Sequence, residues 1–300
     1  MIITFARKPN AKIGNVLSLF DGVSCGQVAL QRAGVEYGTY YASEIDKHSI
    51  KIAKKNFPNI QHLGDVTKIQ GKNLPKIDLL IGGSPCQGFS IAGRELGFED
   101  DRSKLFFEMV RLIEEVQPKY FFLENVGMKQ KWLDIISEYM GIEPVQINSR
   151  MFSAQDRKRF YWTNIPNWQW LVKDKGITFQ DIIEEKGFCG SMRGRRLRDG
   201  VRVDNDTSVP FVQYVECRLD EKSNCLTTVS KDNLLVKTKN RVFRSPLSEV
   251  DWRYLTILEC ERLQTLPDNY TDGVSKSARR VALGNAWTVD VIAHFFKGLI

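Results

Sequence analysis

The chain has 300 residues, 42% of them hydrophobic, which is enough for one large domain or two unequal ones. Its 43 basic and 36 acidic residues give a formal net charge of +7, which favours an anionic partner such as nucleic acid. No apolar run is long enough to cross a bilayer, and the first residues, MIITFARKPNAK, lack the apolar core of a signal peptide.

Short apolar runs alternate with helical patterns through the first half of the chain. The strand-like runs lie at residues 15–20, 38–43, 77–83 and 120–126. Helical spacing of apolar residues follows from about residue 27, at 46–56, at 103–116 and in KWLDIISEYM. Strands that alternate with helices predict an α/β fold with a doubly wound, mostly parallel sheet. Such sheets bind ligands at the carboxyl ends of their strands, where we find DGVSCG, Glu44, GGSPCQGFS and ENV.

The pattern changes from about residue 165. Residues 187–210 are rich in Gly, Arg and Asp with poor periodicity, while VQYVECRL and CLTTV are typical of short strands. Helical periodicity returns in LTILECERLQTL, and the chain ends in the apolar run GNAWTVDVIAHFFKGLI, which predicts one helix. We therefore predict a catalytic domain over 1–164, a smaller irregular domain over 165–279, and a C-terminal segment over 280–300 that returns to the first domain.

Cys86 lies in GGSPCQGFS, directly after a predicted strand. The six cysteines include no CxxC pair and no neighbouring histidine cluster, so we expect free thiols and no metal site. A cysteine at a strand end is a candidate nucleophile, since reactivity requires exposure and surroundings that favour the thiolate. A buried or incidental cysteine has the same local pattern, so this motif alone leaves both interpretations open.

Glu124 closes the apolar strand YFFL, where partial desolvation suits a carboxylic acid to donate a proton or a hydrogen bond. Arg157 and Arg159 alternate in an extended segment before FYWT, so their guanidinium groups are expected to point the same way. Two such groups suit a phosphate or a carbonyl oxygen. Taken singly, these residues are better explained as a solvated glutamate and a solvated basic stretch.

The turn SLFDGVSCG follows the first predicted strand and contains Gly22 and Gly26. It lacks the spacing of a dinucleotide fingerprint, so an adenosyl cofactor approached by the backbone fits it better than a pyrophosphate cofactor. Glu44 follows the second strand, where a ribose-binding acid belongs in such sheets. Asp65, in LGDV after the third strand, is placed to accept a hydrogen bond from an adenine amine.

Taken together and in this order, SLFDG, GGSPCQGFS, ENV, QDRKR, LTILECERLQTLPDNY and LGNAWTV resemble the DNA (cytosine-5-)-methyltransferases. The likeness covers nearly the whole chain apart from about residues 165–250. SLFDG, IGGSPC and RFYWTNIPN are most similar to the animal de novo enzymes, and GFEDDRSKLFFE is similar to bacterial and phage modification enzymes. The resemblance implies a Rossmann-like fold that uses S-adenosylmethionine, and the chain length favours a bacterial or phage origin.

The chemistry implied by the resemblance is methyl transfer from S-adenosylmethionine to carbon 5 of a flipped cytosine in a short, specific sequence of double-stranded DNA. S-adenosylhomocysteine would be the product, and no metal would be needed. Cys86 would add to carbon 6 of the base while Glu124 stabilises ring nitrogen 3. Arg159 would contact the base oxygen or a nearby phosphate, with Arg157 supporting the active site.

The resemblance also assigns a cofactor pocket. Phe20 would pack on the adenine, Glu44 would bind the ribose hydroxyls, and Asp65 would bind the adenine amine. Ile45 stands where an aromatic residue is frequent, and Trp287 replaces a smaller residue common in the bacterial enzymes. The predicted cofactor-binding residues are Phe20, Asp21, Gly22, Gly26, Glu44, Ile45, Asp65, Val66, Pro85, Asn285 and Trp287.

The middle of the chain, about residues 165–250, would be the target recognition domain. It holds five arginines between residues 193 and 202, which are expected to contact mostly phosphates, so neutralising one should weaken binding to all sequences alike. Contact of a few of them with guanine is the alternative. CLTT stands where many family members carry Thr-Leu or Thr-Ile. The predicted DNA-binding residues are Gln87, Ser90, Arg193, Arg195, Arg196 and Thr227.

Two alternative functions are weighed. A tRNA cytosine-5 methyltransferase on the same scaffold carries a Cys-Phe-Thr signature, which is not found in this sequence. A catalytically inactive DNA-binding accessory subunit loses Pro-Cys or Glu-Asn-Val, and both are present. We expect a monomeric, cytoplasmic, DNA-associated protein of a bacterial or phage-infected cell, with no membrane partner. Its expected partners are duplex DNA and a cognate restriction endonuclease that acts on the same site.

Overall fold

The chain forms two compact units in the structure, a computed structural model that describes residues 12–85, 101–168, 172–238 and 243–300. Unit 1 comprises Met1–Ile147, Lys158–Leu171 and Val289–Ile300, and unit 2 comprises Asn148–Arg157 and Val172–Thr288. These limits differ from the domain boundaries predicted at residues 164 and 279, because residues 148–157 and 280–288 belong to unit 2.

Unit 1 contains a seven-stranded sheet in the order β3-β2-β1-β4-β5-β7-β6. Its strands are β1 (Asn15–Leu19), β2 (Tyr40–Ser43), β3 (Gln61–Gly64), β4 (Ile77–Gly82), β5 (Tyr120–Val126), β6 (Val145–Asn148) and β7 (Lys158–Thr163). The first five strands pair in parallel, and β7 runs antiparallel to β5. The predicted doubly wound, mostly parallel sheet is therefore confirmed.

The helices of unit 1 follow the predicted alternation with the strands. They are α1 (Cys25–Ala33), α2 (Lys47–Asn56), α3 (Asp101–Val116), α4 (Gln130–Met140) and, at the end of the chain, α7 (Val289–Phe296). Strands β1 and β4 are almost wholly buried, as expected when helices cover both faces of a parallel sheet. The aromatic rings of Phe122, Phe295 and Phe296 pack at centroid distances of 5.2 to 5.5 Å, which anchors α7 to the sheet.

The single C-terminal helix predicted from GNAWTVDVIAHFFKGLI is wrong in extent. Helix α6 (Lys276–Asn285) ends inside this run, and α7 begins only at Val289. Ala286 is extended, with ψ 157°, and its carbonyl oxygen accepts from Gln264 Nε2 at 3.0 Å and Arg157 Nη2 at 3.0 Å. The Ala286 carbonyl is therefore bound by side-chain donors instead of a backbone amide of a continuing helix, and α6 ends before it.

Unit 2 is built on a five-stranded antiparallel sheet in the order β13-β11-β8-β12-β14. Its strands are β8 (Phe188–Arg195), β11 (Val212–Cys217), β12 (Leu234–Lys237), β13 (Arg244–Pro246) and β14 (Asp251–Tyr254), beside the hairpin β9 (Leu197–Arg198) and β10 (Val201–Arg202). Helices α5 (Ile257–Leu263) and α6 complete the unit. A small apolar core lies between Val215, Leu234 and Val236.

Two predictions for unit 2 are corrected by the structure. Residues 188–195, within the stretch of poor periodicity, form β8, the central strand of the sheet, whereas residues 203–210 belong to no helix or strand. The sequence pattern did not predict β8 because the strand contains Gly190 and Gly194, and glycine is disfavoured in strands. A Cβ on Gly190 would lie 2.7 Å from Val236, so close packing requires glycine there. The run CLTTV is not a strand, since Thr227 Oγ1 accepts from the Val229 amide at 3.1 Å and closes a turn.

Candidate cofactor and active site

The register of the parallel strands aligns one row of residues across unit 1. This row consists of Leu19, Ser43, Gly64, Gly82 and Leu123. The next residues along each strand include four predicted site residues: Phe20, Glu44, Asp65 and Glu124. Because parallel strands end at the same edge, this register places the four residues along one edge of the sheet.

The turn after β1 is tied to the end of β2 by the Glu44 carboxylate. The Gly22 amide donates to Glu44 Oε2 at 2.8 Å, and the amides of Ile45 and Asp46 donate to Oε1 at 2.8 Å each. Gly22 adopts a φ of 58°, which favours glycine, and no atom of the described residues lies within 4 Å of a Cβ added there. The turn therefore presents open backbone beside a carboxylate held in place.

Asp21 supports this turn from inside the fold. Its carboxylate is buried and accepts from Ser24 Oγ at 2.6 Å and Tyr40 Oη at 2.8 Å. Burial raises the pKa of Asp21 to about 6. Gly26 packs closely against Tyr40, since a Cβ added at Gly26 would lie only 2.6 Å from Tyr40 Oη. The two residues, predicted to bind the cofactor, thus position the turn through their contacts within unit 1.

The other predicted cofactor residues of unit 1 differ in exposure. Asp65 Oδ1 accepts from the Thr67 amide at 3.0 Å, and this bond lowers the pKa of Asp65. Val66 is buried in the core, and Pro85 is half-buried. Ile45 is 76% exposed, an unusual position for a large apolar side chain and one that is open to a flat ligand.

Glu124 and Arg159 form an ion pair across β5 and β7. Glu124 lies opposite Tyr161, so Arg159, two residues before Tyr161, shares the same face of the sheet. Arg159 Nε lies 3.0 Å from Glu124 Oε1, and the two side chains are only 13% and 11% exposed. The predicted acid and one predicted arginine therefore meet in a shielded place at the carboxyl edge of the sheet.

Asn125 connects this pair to the segment that leads into Cys86. Its buried amide Nδ2 donates to Ser84 Oγ at 3.2 Å, two residues before Cys86. Cys86, Gln87 and Ser90 themselves lie outside the described residues. The contact shows that the strand end carrying Glu124 and the strand end preceding Cys86 are held side by side.

Arg157 does not act beside Arg159 as the alternating pattern predicted. Strand β7 begins at Lys158, and Arg157 belongs to unit 2. It is 4% exposed and donates to the carbonyl oxygens of Leu226 at 2.8 Å and Ala286 at 3.0 Å. The two guanidinium groups are committed to different partners, so the expectation of a joint anion site is corrected.

A buried polar cluster around Gln155 was not predicted from the sequence. Gln155 is fully buried and donates to Leu263 O at 2.7 Å and Gln264 Oε1 at 2.8 Å, while its own Oε1 accepts from the Leu226 amide at 3.1 Å. Gly284 packs against the same segment, since a Cβ there would lie 2.5 Å from the Thr228 amide nitrogen. The cluster holds the segment before Thr227 in place, and its only sequence signal was Gln155 in QDRKR.

The end of α6 carries the last two predicted cofactor residues. Asn285 is exposed and Trp287 is half-buried, and both belong to unit 2. They flank Ala286, whose carbonyl is fixed by Arg157 and Gln264. The same polar cluster therefore fixes the backbone on which these two side chains sit.

The predicted DNA-binding arginines of unit 2 already have partners. Arg193 Nη1 donates to Asp232 at 2.7 Å. Arg195 makes two bonds to Glu216, at 3.1 and 3.0 Å. Arg196 donates to the Val209 carbonyl. Thr227 Oγ1 donates to Asp232 Oδ2 at 2.7 Å. The basic stretch is therefore partly neutralised by carboxylates of its own unit.

Neither a metal-binding cluster nor a membrane-spanning helix occurs within the described ranges. No group of three or more His, Cys, Asp and Glu side chains there has the arrangement needed to hold a metal ion. Among the helices of those ranges, none combines the length and the apolar character that a membrane span requires.

The chain is similar to known methyltransferases of phages and bacteria. The orphan methyltransferase M.Rho11sI of Bacillus phage rho11s is 42% identical over 214 aligned residues, which cover 61% of this chain and 42% of that protein. The match thus spans less than half of the phage relative. The type II methyltransferase M1.ScrFI of Lactococcus lactis subsp. cremoris is 29% identical over 310 aligned positions, covering 97% of this chain and 79% of that protein. The predicted resemblance to phage and bacterial enzymes is confirmed.

A solved structure and a family profile support the same relationship. The structure of the Entamoeba histolytica methyltransferase EhMeth superposes with a TM-score of 0.72 and 16% identity, covering 95% of this chain and 97% of that one, which shows a shared fold. The family profile described as C-5 cytosine-specific DNA methylase matches residues 14–179 and 196–300, so it includes both units. The chain belongs to the family of C-5 cytosine-specific DNA methylases.

Proposed function

We propose that this chain transfers a methyl group from S-adenosylmethionine to carbon 5 of a cytosine in a short, specific sequence of double-stranded DNA. The observation that carries the proposal is the shielded Glu124–Arg159 pair, joined through Asn125 to the segment that precedes Cys86. This arrangement brings an acid and a cation to one strand edge, next to the segment that leads into the candidate nucleophile Cys86. Covalent catalysis on a polar ring uses groups of these three kinds.

The carboxyl edge of unit 1 fits an adenosyl cofactor. The open turn at Gly22 allows close approach of a ligand to the backbone, and Glu44 offers carboxylate oxygens beside it. Within the described residues, the hydrogen bonds to Asp65 go to Oδ1, which leaves Oδ2 for an adenine amine. Exposed Ile45 offers an apolar surface for the flat base. When bound, S-adenosylmethionine supplies an activated methyl group on a sulfonium.

The proposed roles of the protein groups follow from the chemistry of cytosine. Carbon 5 is a weak nucleophile, so Cys86 adds to carbon 6 and converts the ring into an enamine. Glu124 hydrogen-bonds ring nitrogen 3, and Arg159, which lies beside it, contacts the base oxygen or a nearby phosphate. After methylation, carbon 5 loses its proton to water and Cys86 leaves, restoring the aromatic ring.

The target carbon lies inside the base stack, so the cytosine must be flipped out of the duplex, at a cost of about a few kcal/mol. Residues 165–250 select the sequence in which this happens, since the pocket for the flipped base does not contact neighbouring base pairs. We propose duplex DNA as the partner and, for a modification role, a restriction endonuclease acting on the same sequence.

The experiment that tests the proposal is covalent trapping on DNA that carries 5-fluorocytosine. The wild type is expected to form a stable adduct, because fluorine at carbon 5 cannot leave as a proton does. Cys86→Ala is expected to bind DNA without forming the adduct, whereas Cys217→Ala, which removes a buried thiol of β11, should still form it. Normal turnover by Cys86→Ala would contradict the assignment, and trapping on tRNA but not on DNA would overturn the substrate class.

Glu44→Ala is expected to weaken S-adenosylmethionine binding by about 1–3 kcal/mol, the usual cost of a lost hydrogen bond to a charged group. The substitution removes the ribose acceptor and also releases the Gly22 turn. Calorimetric titration measures the change in Kd, with Glu138→Ala, an exposed glutamate of α4, as the control. An unchanged Kd for Glu44→Ala would place the ribose contact elsewhere.

A further inference from the structure

Two side chains that the sequence marked independently as DNA contacts meet at one carboxylate. Arg193, on β8, donates from Nη1 to Asp232 Oδ1 at 2.7 Å, and Thr227 donates from Oγ1 to Asp232 Oδ2 at 2.7 Å. Each oxygen of the carboxylate therefore holds one of the two candidates. Asp232 is not among the residues predicted from the sequence to bind DNA.

The backbone that carries Asp232 is itself held in place by two asparagine side chains. Asn224 Nδ2 donates to the Asp232 carbonyl at 2.9 Å, and Asn233 Nδ2 donates to the Cys225 carbonyl at 3.1 Å. These bonds fold the segment from Cys225 to Asn233 back on itself beside β8. Asp232 is therefore a fixed point between the Thr227 turn and the sheet of unit 2.

Pairing with Asp232 lowers the net charge that Arg193 presents to DNA but leaves part of its hydrogen-bonding capacity. Their side chains are 32% and 21% exposed, so the pair is partly accessible. A guanidinium has five donors, and the bonds from Nη1 to Asp232 and to the Met192 carbonyl at 3.3 Å engage two of them. The positive charge is locally offset while several donors stay available in a set orientation. Binding to phosphates depends mainly on the net charge of the protein group, whereas recognition of base edges depends on where its hydrogen-bond donors lie.

We propose that Asp232 is a specificity-determining positioning residue. It offsets the charge of Arg193, which weakens sequence-independent attraction to phosphates, and it orients Arg193 and Thr227 toward base edges of the target sequence. The proposal rests on the proposed function of residues 165–250 in target selection. It also revises the expectation that Arg193 supplies phosphate affinity common to all sequences.

The first test is Asp232→Asn, measured by equilibrium binding to a duplex that contains the mapped methylation sequence and to one that lacks it. Asparagine keeps the size of the side chain but not its charge. We expect the duplex without the sequence to bind more tightly and the slope of log affinity against log salt to steepen by about 0.9, as one phosphate contact is gained. The ratio of specific to non-specific affinity should fall about tenfold or more.

The decisive variant is the double substitution R193Q with D232N, which leaves the net charge unchanged. We expect its salt slope to match that of the wild type while the affinity ratio falls about tenfold or more, because the oriented guanidinium is gone. The matched control is R262Q with D268N, a bidentate pair of the same unit at 3.0 and 2.7 Å, for which the ratio should stay unchanged. Thermal unfolding of each variant checks that the fold is retained.

The outcomes separate the two proposals. A wild type that prefers no sequence and methylates none contradicts the proposed function itself. If the wild type discriminates and the double variant discriminates equally well, the inference about Asp232 is overturned. If R193Q with D232N weakens both duplexes alike and flattens the salt slope by about 0.9, Arg193 is a phosphate contact and the inference is likewise wrong.

Discussion

Replacing Glu124 with glutamine is expected to lower the rate of methyl transfer by about 10²–10⁴-fold while the fold stays intact. Glutamine keeps the size of the side chain and one oxygen acceptor, but it neither ionises nor releases a proton. It also leaves Arg159 without the carboxylate that lies 3.0 Å from its Nε. Stabilisation of ring nitrogen 3 and placement of the arginine are therefore lost together, at the step in which the thiol adds to the base.

The measurement is single-turnover methyl transfer at saturating DNA and cofactor, so that weaker binding does not obscure the chemical step. Glu138→Gln is the matched control, since Glu138 is an exposed glutamate near the end of α4. Full activity is expected for this control. A Glu124→Gln enzyme that turns over at the wild-type rate would show that the Glu124–Arg159 pair is structural only.

The second large effect is expected on stability, from Arg157→Met. Arg157 is 4% exposed and supplies donors to the carbonyls of Leu226 and Ala286. Methionine fills much of the space but removes the strong donor of the Leu226 carbonyl, which keeps the weaker Cys225 thiol at 3.6 Å, while Ala286 keeps its bond from Gln264. Removing a buried cation recovers part of the desolvation cost, so we expect a net loss of about 2–3 kcal/mol in the free energy of unfolding.

Urea unfolding followed by tryptophan fluorescence measures this loss, with Arg150→Met as the control. Arg150 is more exposed, at 37%, and its carboxylate neighbours lie 3.8 and 3.5 Å away, so its loss should cost less than about 1 kcal/mol. Equal effects of the two substitutions would contradict a structural role for Arg157. If Arg157→Met unfolds like the wild type yet loses methyl transfer, the catalytic role predicted from the sequence would regain support.

The sequence by itself determined the fold class and the edge at which the site lies. Apolar runs alternating with helical spacing allow few arrangements other than a covered parallel sheet, and such a sheet gathers the residues after its strands at one edge. The position of Glu44, Asp65 and Glu124 at this edge could thus be predicted from local pattern, and the strand register places them there. Their roles in binding and catalysis stay predictions. The family was likewise readable from short motifs, because their order along the chain is specific.

Only the tertiary structure decided what Arg157, Arg193 and β8 do. In an extended chain Arg157 and Arg159 look equivalent, yet one binds carbonyls of unit 2 and the other pairs with Glu124. The stretch around Arg193 looks like free positive charge, but the carboxylates that offset it lie far along the chain; Asp232 is 39 residues away. Such roles depend on contacts between residues distant in sequence, and local patterns carry no information about them.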